Sequence, residues 1–237
     1  CALPICELPL PLGETAVDAS VCWTSDGMLV AGCEDGRLLA WNPELTAVAE
    51  LHRFGEHVWT VSSCPDADGR IAAGAGKQAV LFHLEPTRGA ARAPHVRQML
   101  TLESLPGDVQ ATAWSPDGTR LACATNGGFV VLFDTATGER TGSLAAHERD
   151  LLWLAYAPDG RTLVSADAMS VRFSDAVTLA LFDELRPGWQ INAATMAADS
   201  SAIVLGGETL TAPDDPSPPD GRVGIIDVGP LRQDGTP

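Results

Sequence analysis

One glycine-rich stretch has residue types suited to binding phosphate, but its motif is incomplete. The stretch Gly74-Ala75-Gly76-Lys77-Gln78 resembles a phosphate-binding loop. Ile71 occupies the place of the first glycine and Gln78 the place of the Ser or Thr that would reach a metal ion. A strand-like run follows instead of a helix, so no helix N-terminus would face a phosphate. We therefore expect a turn here.

The candidate metal ligands and nucleophiles are also incomplete. Asp66 and Asp68 have the spacing of a calcium loop, but no later acid completes it. His52 and His57 have no evident third ligand, and zinc needs three or four. No Gly-x-Ser-x-Gly elbow is present, and no serine is visibly paired with a histidine and an acid. We predict no catalytic residues, no cofactor, no metal site and no enzymatic activity.

A repeated pattern organises the chain. Ala113-Trp114-Ser115-Pro116-Asp117-Gly118 recurs as Ala155-Tyr156-Ala157-Pro158-Asp159-Gly160, with a short apolar run, a turn and a second apolar run after each. Five turn acids are spaced 42, 49, 42 and 40 residues apart: Asp26, Asp68, Asp117, Asp159 and Asp199. A period of about 40 to 45 residues is typical of a propeller blade of four strands.

We expect an all-β fold, a single β-propeller domain over 1–237 with about five blades. A sandwich would lack the period, and a parallel α/β fold would need helical patterns between the strands. The predicted blades cover 14–51, 56–102, 108–145, 148–185 and 189–228, with an inserted loop at 85–96 and a tail at 229–237. The run 5–10 is interpreted as the last strand of a blade.

Charge and cysteine content restrict the function. The formal charge is −16, from 15 basic and 31 acidic residues, which disfavours broad contact with nucleic acid or anionic membranes. None of the six cysteines forms a Cys-x-x-Cys pair, and three lie in apolar runs, so we expect a reducing compartment, the cytoplasm. Apolar runs are too short to span a bilayer. No signal peptide or initiator methionine is seen, and we expect a chain cut from a longer one.

The repeat resembles the WD40 family. The Pro-Asp-Gly turns and the closures Trp41-Asn42 and Phe133-Asp134 carry the resemblance. It implies a ring of seven blades, of which five are present here; a five-bladed ring closed by 5–10 is the alternative. It also implies a structural hydrogen-bond network in the blades, to which we assign His147, Ser165, Asp167, Phe173 (in the place of a tryptophan), Asp35, Trp41 and Asp134.

The tryptophans have two interpretations. Trp23, Trp59, Trp114 and Trp153 recur in or beside the first strand of successive repeats, where they either pack between blades or line a peptide-binding rim. Trp189, with Arg186 nearby, is our candidate for an exposed partner contact.

Within the WD40 proteins, the layout over 56–227 is similar to the family of i subunits of eukaryotic translation initiation factor 3. Three short sequence motifs support this resemblance: Phe82-His83-Leu84 before an expanded loop, Asn192-Ala193-Ala194, and Ile203-Val204-Leu205-Gly206-Gly207 before Arg222-Val223-Gly224. The resemblance implies a scaffold in translation initiation on the small ribosomal subunit, with the b and g subunits as partners and little direct nucleic-acid contact. A WD40 adaptor outside translation, similar to the kinase receptor-associated protein of this family, and an RNA-binding propeller are the alternatives.

Overall fold

The computed structural model of the chain describes residues 20–66, 69–85, 93–103, 105–197, 202–209 and 220–227. They form 19 strands in five antiparallel sheets, four with four strands and one with three. The all-β propeller prediction is confirmed. The predicted strand 5–10, the turn acids Asp68 and Asp199, and the tail 229–237 lie outside the described residues.

The strands of each sheet follow one another in sequence, so each sheet is one blade. Blade 1 contains β1 (Val21–Trp23), β2 (Leu29–Gly32), β3 (Arg37–Trp41) and β4 (Val48–Arg53). Blade 2 contains β5 (Val58–Ser63), β6 (Arg70–Ala75), β7 (Gln78–Glu85) and β8 (His95–Leu102). Blade 3 contains β9 (Val109–Trp114), β10 (Arg120–Thr125), β11 (Phe129–Asp134) and β12 (Arg140–Ala145). Blade 4 contains β13 (Leu151–Tyr156), β14 (Thr162–Asp167), β15 (Val171–Asp175) and β16 (Leu181–Leu185). Blade 5 contains β17 (Gln190–Met196), β18 (Ala202–Glu208) and β19 (Gly221–Asp227).

The first strands of the blades are the innermost. β1 contacts β5, β5 contacts β9, β9 contacts β13 and β13 contacts β17, which arranges the blades in an arc around these strands. The predicted loop at 85–96 is shorter than expected at both ends: β7 continues to Glu85 and β8 begins at His95. The outer strand predicted from Arg140 to Ala145 is confirmed as β12.

The Pro-Asp-Gly turns are stabilised by the aspartate carboxylate, which accepts hydrogen bonds from groups of the turn. The Asp117 carboxylate accepts hydrogen bonds from the Ser115 hydroxyl and from the N–H and hydroxyl groups of Thr119. These bonds hold the pKa of Asp117 below its usual range. Gly118 adopts a φ of +65°, which a residue with a side chain rarely takes. The same turn therefore recurs wherever these residue types recur.

Hydrophobic clusters join each blade to the next. Met28, Val58 and Phe82 represent the cluster between blades 1 and 2. Trp114 and Leu102 belong to the cluster between blades 2 and 3. Two further clusters join blades 3 and 4 and blades 4 and 5. Because these four clusters take residues from two blades each, neighbouring blades bury much of one another's apolar faces, while a fifth cluster lies within blade 1.

The four recurring tryptophans divide between the two interpretations. Trp114 is buried, and its indole N–H donates to the Ser62 carbonyl of the preceding blade. Trp153 packs against the cluster between blades 4 and 5. Trp59 is 45% exposed although blade 2 has a blade on each side, so the packing interpretation is wrong for this residue. Trp23 is 56% exposed, but no blade that would precede blade 1 is among the described residues, so both interpretations of Trp23 stay open.

Candidate functional site

A β-bulge occurs at the same place on the innermost strand of four blades. In blade 2, Val58 pairs with Ala75 and Thr60 with Gly74, so Trp59 is the extra residue between them. Blades 3 and 4 have the same irregularity one residue after the start of the first strand, and blade 5 has it two residues after the start. We call the four extra residues the bulge rim: Trp59, Gln110, Leu152 and Asn192.

The bulge directs these side chains away from the blade. The residue before each rim position is at most 1% exposed, and these anchoring residues are Val58, Val109, Leu151 and Ile191. Trp59 and Leu152 remain 45% and 44% exposed although both are large and apolar. Bulges of this type re-aim single side chains and are frequent beside functional sites. The rim thus presents one aromatic, one aliphatic and two amide side chains from successive blades.

Neighbouring groups hold the rim in place. The His57 ring stacks on the Trp59 indole with a centroid distance of 3.9 Å and an interplanar angle of 1°. The Asp150 carboxylate, two residues before Leu152, accepts a 2.7 Å hydrogen bond from the Gly127 N–H of the preceding blade. Asp108, two residues before Gln110, is contacted by Asn126. Apolar side chains and carboxylates therefore alternate along this edge.

A buried polar network lies beneath the rim in blade 4. His147 Nε2 is 2.8 Å from Ser165 Oγ, and His147 Nδ1 is 3.1 Å from Asp167 Oδ2 and 3.2 Å from Ser170 Oγ. Asp167 also accepts hydrogen bonds from the N–H groups of Met169 and Ser170. These contacts join His147, Ser165 and Asp167, the residues that the WD40 resemblance assigned to a structural hydrogen-bond network.

Serine, histidine and aspartate are hydrogen-bonded here in the order of a hydrolytic triad, but the serine hydroxyl is not accessible to a substrate. Ser165 is 3% exposed and the His147 side chain is fully buried, so no substrate carbonyl can reach the hydroxyl. Burial lowers the pKa of His147, against the opposing charge of Asp167. Burial acts to raise the pKa of Asp167, but the Met169 N–H, the His147 ring and the Ser170 N–H outweigh it and hold that pKa low. A neutral imidazole thus donates to Asp167 through Nδ1 and accepts from Ser165 through Nε2.

The network is confined to blade 4 among the first four blades. Strand register places Ala31, Ala73 and Cys123 at the positions that correspond to Ser165. Of the other residues assigned to it, Asp35 pairs with Arg37, Trp41 is buried, and Asp134 caps its turn by accepting the N–H groups of Ala136 and Thr137. Asp35, Trp41 and Asp134 make no hydrogen bond or ion pair with His147 within the described part of the chain.

The assignment of Phe173 to the tryptophan position was wrong by one residue. Trp41 pairs with Leu29, and register makes Leu163 the residue of blade 4 that corresponds to Leu29. Leu163 pairs with Ser174, so a serine occupies that position. Phe173 instead points to the cluster shared with blade 5.

Of the two candidate partner contacts, Trp189 packs against glycines and Arg186 is exposed. Trp189 is partly buried, and its ring covers Gly207 and Gly224, where an added Cβ would lie 2.6 Å and 2.9 Å from indole carbons. Arg186 is exposed and pairs with Glu184 at 3.1 Å. Gly76 and Lys77 form the turn between β6 and β7. Within the described ranges no three His, Cys, Asp or Glu side chains are grouped to hold a metal ion.

Comparison with known proteins agrees with this architecture. The family model of the WD domain, G-beta repeat, matches residues 14–42 and 99–134. These two segments of the chain match the WD40 repeat.

The curated proteins that the chain resembles include WD repeat-containing proteins. The chain is 26% identical over 140 residues to WD repeat-containing protein SL1-17 of Schistosoma mansoni, a match that covers 58% of this chain and 44% of that protein. It is 30% identical over 135 residues to meiotic recombination protein rec14 of Schizosaccharomyces pombe, with 54% and 42% covered. It is 29% identical over 127 residues to the ribosome biogenesis protein WDR12 homolog of Chlamydomonas reinhardtii, with 49% and 29% covered. The chain thus spans less than half the length of these three relatives.

The match to the WD domain agrees with the observed blades of consecutive antiparallel strands. Among the described residues there is no helix with the length and apolarity that a membrane crossing needs.

Proposed function

We propose that this chain is a non-enzymatic scaffold that binds a segment of another protein along the bulge rim. The observation that carries the proposal is the repetition of the bulge in four successive blades, each time with a different side chain at the extra position. The repeated β-bulge keeps the backbone geometry of the surface constant, and the different side chains at the extra positions determine which partner the surface binds.

The rim favours a partner segment with apolar anchors and basic residues. Trp59 and Leu152 offer apolar contact area, and large aromatic residues commonly carry most of the binding energy at interfaces. The carboxylates of Asp108 and Asp150 lie beside the rim, in a chain with a formal charge of −16. That field attracts Lys and Arg side chains and opposes nucleic-acid phosphates.

The test is capture of partners by the tagged protein from its own cells, repeated with Trp59→Ala and Leu152→Ala. We expect each substitution to weaken binding of the captured partner by about tenfold or more, which corresponds to the loss of one anchor. Met99→Ala is the matched control, because Met99 is also a partly exposed bulge residue but lies on the outer strand of blade 2. Equal binding by all four proteins would refute the rim as the interface.

A finer proposal follows from the sequence layout alone. As an i-like subunit of translation initiation factor 3, the chain would act in the cytoplasm and bind the b and g subunits. Recovery of those subunits in the same capture experiment supports this assignment. Recovery of an unrelated complex through the rim would retain the scaffold function and assign it to an adaptor outside translation.

A further inference from the structure

Blade 4 contains a small recess lined by three arginines, on the same edge of the blades as the rim. Its volume is about 140 Å³, and its lining includes Arg149, Arg172 and Arg186 together with Glu148, Asp167 and Ser170. A chain with only 15 basic residues against 31 acidic ones here brings three guanidinium groups to one concave site.

The recess exists in blade 4 because of Arg172. Strand register places buried Leu39, Val80 and Val131 at the corresponding positions of blades 1, 2 and 3. Arg172 Nε lies 3.1 Å from Glu184 Oε1, and its Nη1 donates to the Ala146 carbonyl. These bonds fix one guanidinium group in the floor of the recess.

The other two arginines are less constrained. Arg186 is 67% exposed and binds the same carboxylate as Arg172, that of Glu184. Arg186 Nε and Arg186 Nη2 are each 3.1 Å from Glu184 Oε1. Arg149 is exposed and makes no hydrogen bond or ion pair with any described residue. Glu184 is therefore the shared partner of two guanidinium groups, and the hydrogen bonds and charges of Arg172 and Arg186 keep its pKa low against the opposing effect of burial.

The acids that line the recess do not neutralise these arginines by direct contact. The Asp167 carboxylate is already bound by the His147 ring and by the N–H groups of Met169 and Ser170. Glu148 is exposed and forms no ion pair with the neighbouring Arg149. Guanidinium N–H groups of Arg149 and Arg186 are thus available to a ligand at the mouth of the recess.

We propose that this recess binds an oxyanion, the carboxylate or phosphoryl group of a partner side chain, between Arg149 and Arg186 above Arg172. Arginine is the residue best suited to such groups, because its planar fork donates two parallel hydrogen bonds. The volume accommodates one tetrahedral or planar anion. The site is separate from the rim, so it can be present whether or not the rim binds a partner.

Inorganic phosphate and acetate, titrated separately into the full chain and followed by calorimetry and by phosphorus NMR for phosphate, test the proposal. We expect saturable binding that Arg149→Gln and Arg186→Gln each weaken by about tenfold, as is usual for loss of a charge-assisted hydrogen bond. Glu184→Gln should strengthen binding, since it releases Arg172 and Arg186. Tighter binding of phosphate supports a phosphorylated partner residue, and equal or tighter binding of acetate supports an acidic one.

The pair Arg53 and Glu50 of blade 1 provides matched controls. Their guanidinium and carboxylate groups are exposed and lie 2.8 Å apart, so Arg53→Gln and Glu50→Gln make the same changes in net charge at another place. Both controls should leave anion affinity unchanged. The proposal is overturned if no saturable binding occurs, or if the blade 4 and blade 1 variants behave alike.

Discussion

His147 Nε2 and Ser165 Oγ, eighteen residues apart in sequence, lie 2.8 Å apart in the interior of blade 4. His147 precedes the first strand of the blade and Ser165 lies in the second, so this bond fixes the entry of the chain to the blade. Gly128 contributes to the same junction, because its carbonyl accepts the N–H groups of Ala146 and His147 at 2.8 Å and 3.0 Å.

We expect Ser165→Ala to destabilise the protein by about 1 to 3 kcal/mol, because it leaves the buried Nε2 atom of His147 without a hydrogen bond. The measurement is urea unfolding followed by fluorescence. Ser143→Ala, at an exposed position of β12, should change the free energy of unfolding by less than about 0.5 kcal/mol. A similar loss in both variants would contradict the role given to the network.

Stability should fall as the pH decreases from 7 to 5. The pKa of His147 is lower in the folded chain than the value of about 6.5 expected when unfolded, so the unfolded chain binds a proton that the folded chain does not. Its contribution is present above that value and is lost below it, by at most about 1.4 kcal/mol per pH unit. Asp167, whose folded pKa is also lowered, acts in the same direction below its unfolded value of about 3.9. His147→Asn should show a shallower dependence of unfolding free energy on pH in urea titrations, and an unchanged slope would exclude His147 as the source.

Arg70 should matter more than Arg120, although both begin the second strand of their blades. The Arg70 guanidinium group donates to the Gly118 carbonyl at 2.9 Å and to Thr135 Oγ1 at 3.2 Å, pairs with Asp66 and lies 5.2 Å from the centre of the Trp114 ring. Arg120 is bound to Ser115 through its backbone, but its guanidinium group makes no hydrogen bond or ion pair with the described residues.

On this basis we expect Arg70→Ala to cost about 2 kcal/mol of stability, since the buried Gly118 carbonyl and the buried Thr135 hydroxyl each lose a hydrogen bond and the contact with the Trp114 ring is lost. Arg120→Ala should cost less than about 0.5 kcal/mol. Thermal unfolding of the two variants side by side is sufficient. The inference that Arg70 links blade 2 to blade 3 fails if the two melting temperatures shift equally.

Two adjacent glycines provide a comparison of strain with close packing. Gly127 and Gly128 both have a φ of +81°, where an alanine costs about 1 to 2 kcal/mol. An added Cβ at Gly127 meets open space, whereas at Gly128 it would lie 2.1 Å from the His147 carbonyl oxygen. Gly128→Ala should therefore lower the yield of folded protein in a solubility and circular dichroism assay much more than Gly127→Ala; equal effects would show that backbone strain alone decides.

Cys123 should be unreactive until the protein unfolds. The thiol is completely buried, and burial raises its pKa far above the usual range, so the reactive thiolate is not formed at neutral pH. Mass spectrometry after iodoacetamide treatment should find Cys123 unmodified in the native protein and modified in urea. Labelling of the native protein at Cys123 would indicate that blade 3 opens.

Some features were determined by the sequence alone. Asp117 and Gly118 specify their turn through local hydrogen bonds and a positive φ, and the same pair at Asp159 and Gly160 gave the period and the blade count. Such signals are readable because every interacting group lies within a few residues. The predicted bounds of the outer strand, Arg140 to Ala145, are also those of β12.

Only the tertiary structure decided which residues meet across strands. The bulges that expose Trp59 and Leu152 depend on the register between neighbouring strands. The register between β14 and β15 also decides that Ser174, and not Phe173, occupies the position that corresponds to Trp41. The grouping of Arg149, Arg172 and Arg186 likewise depends on strands and loops distant in sequence. The pairing of Ser165 with His147 is the exception, because the resemblance to the WD40 family had already implied it. Local residue patterns fix the blades, whereas strand register and packing between blades determine which side chains remain available to a partner.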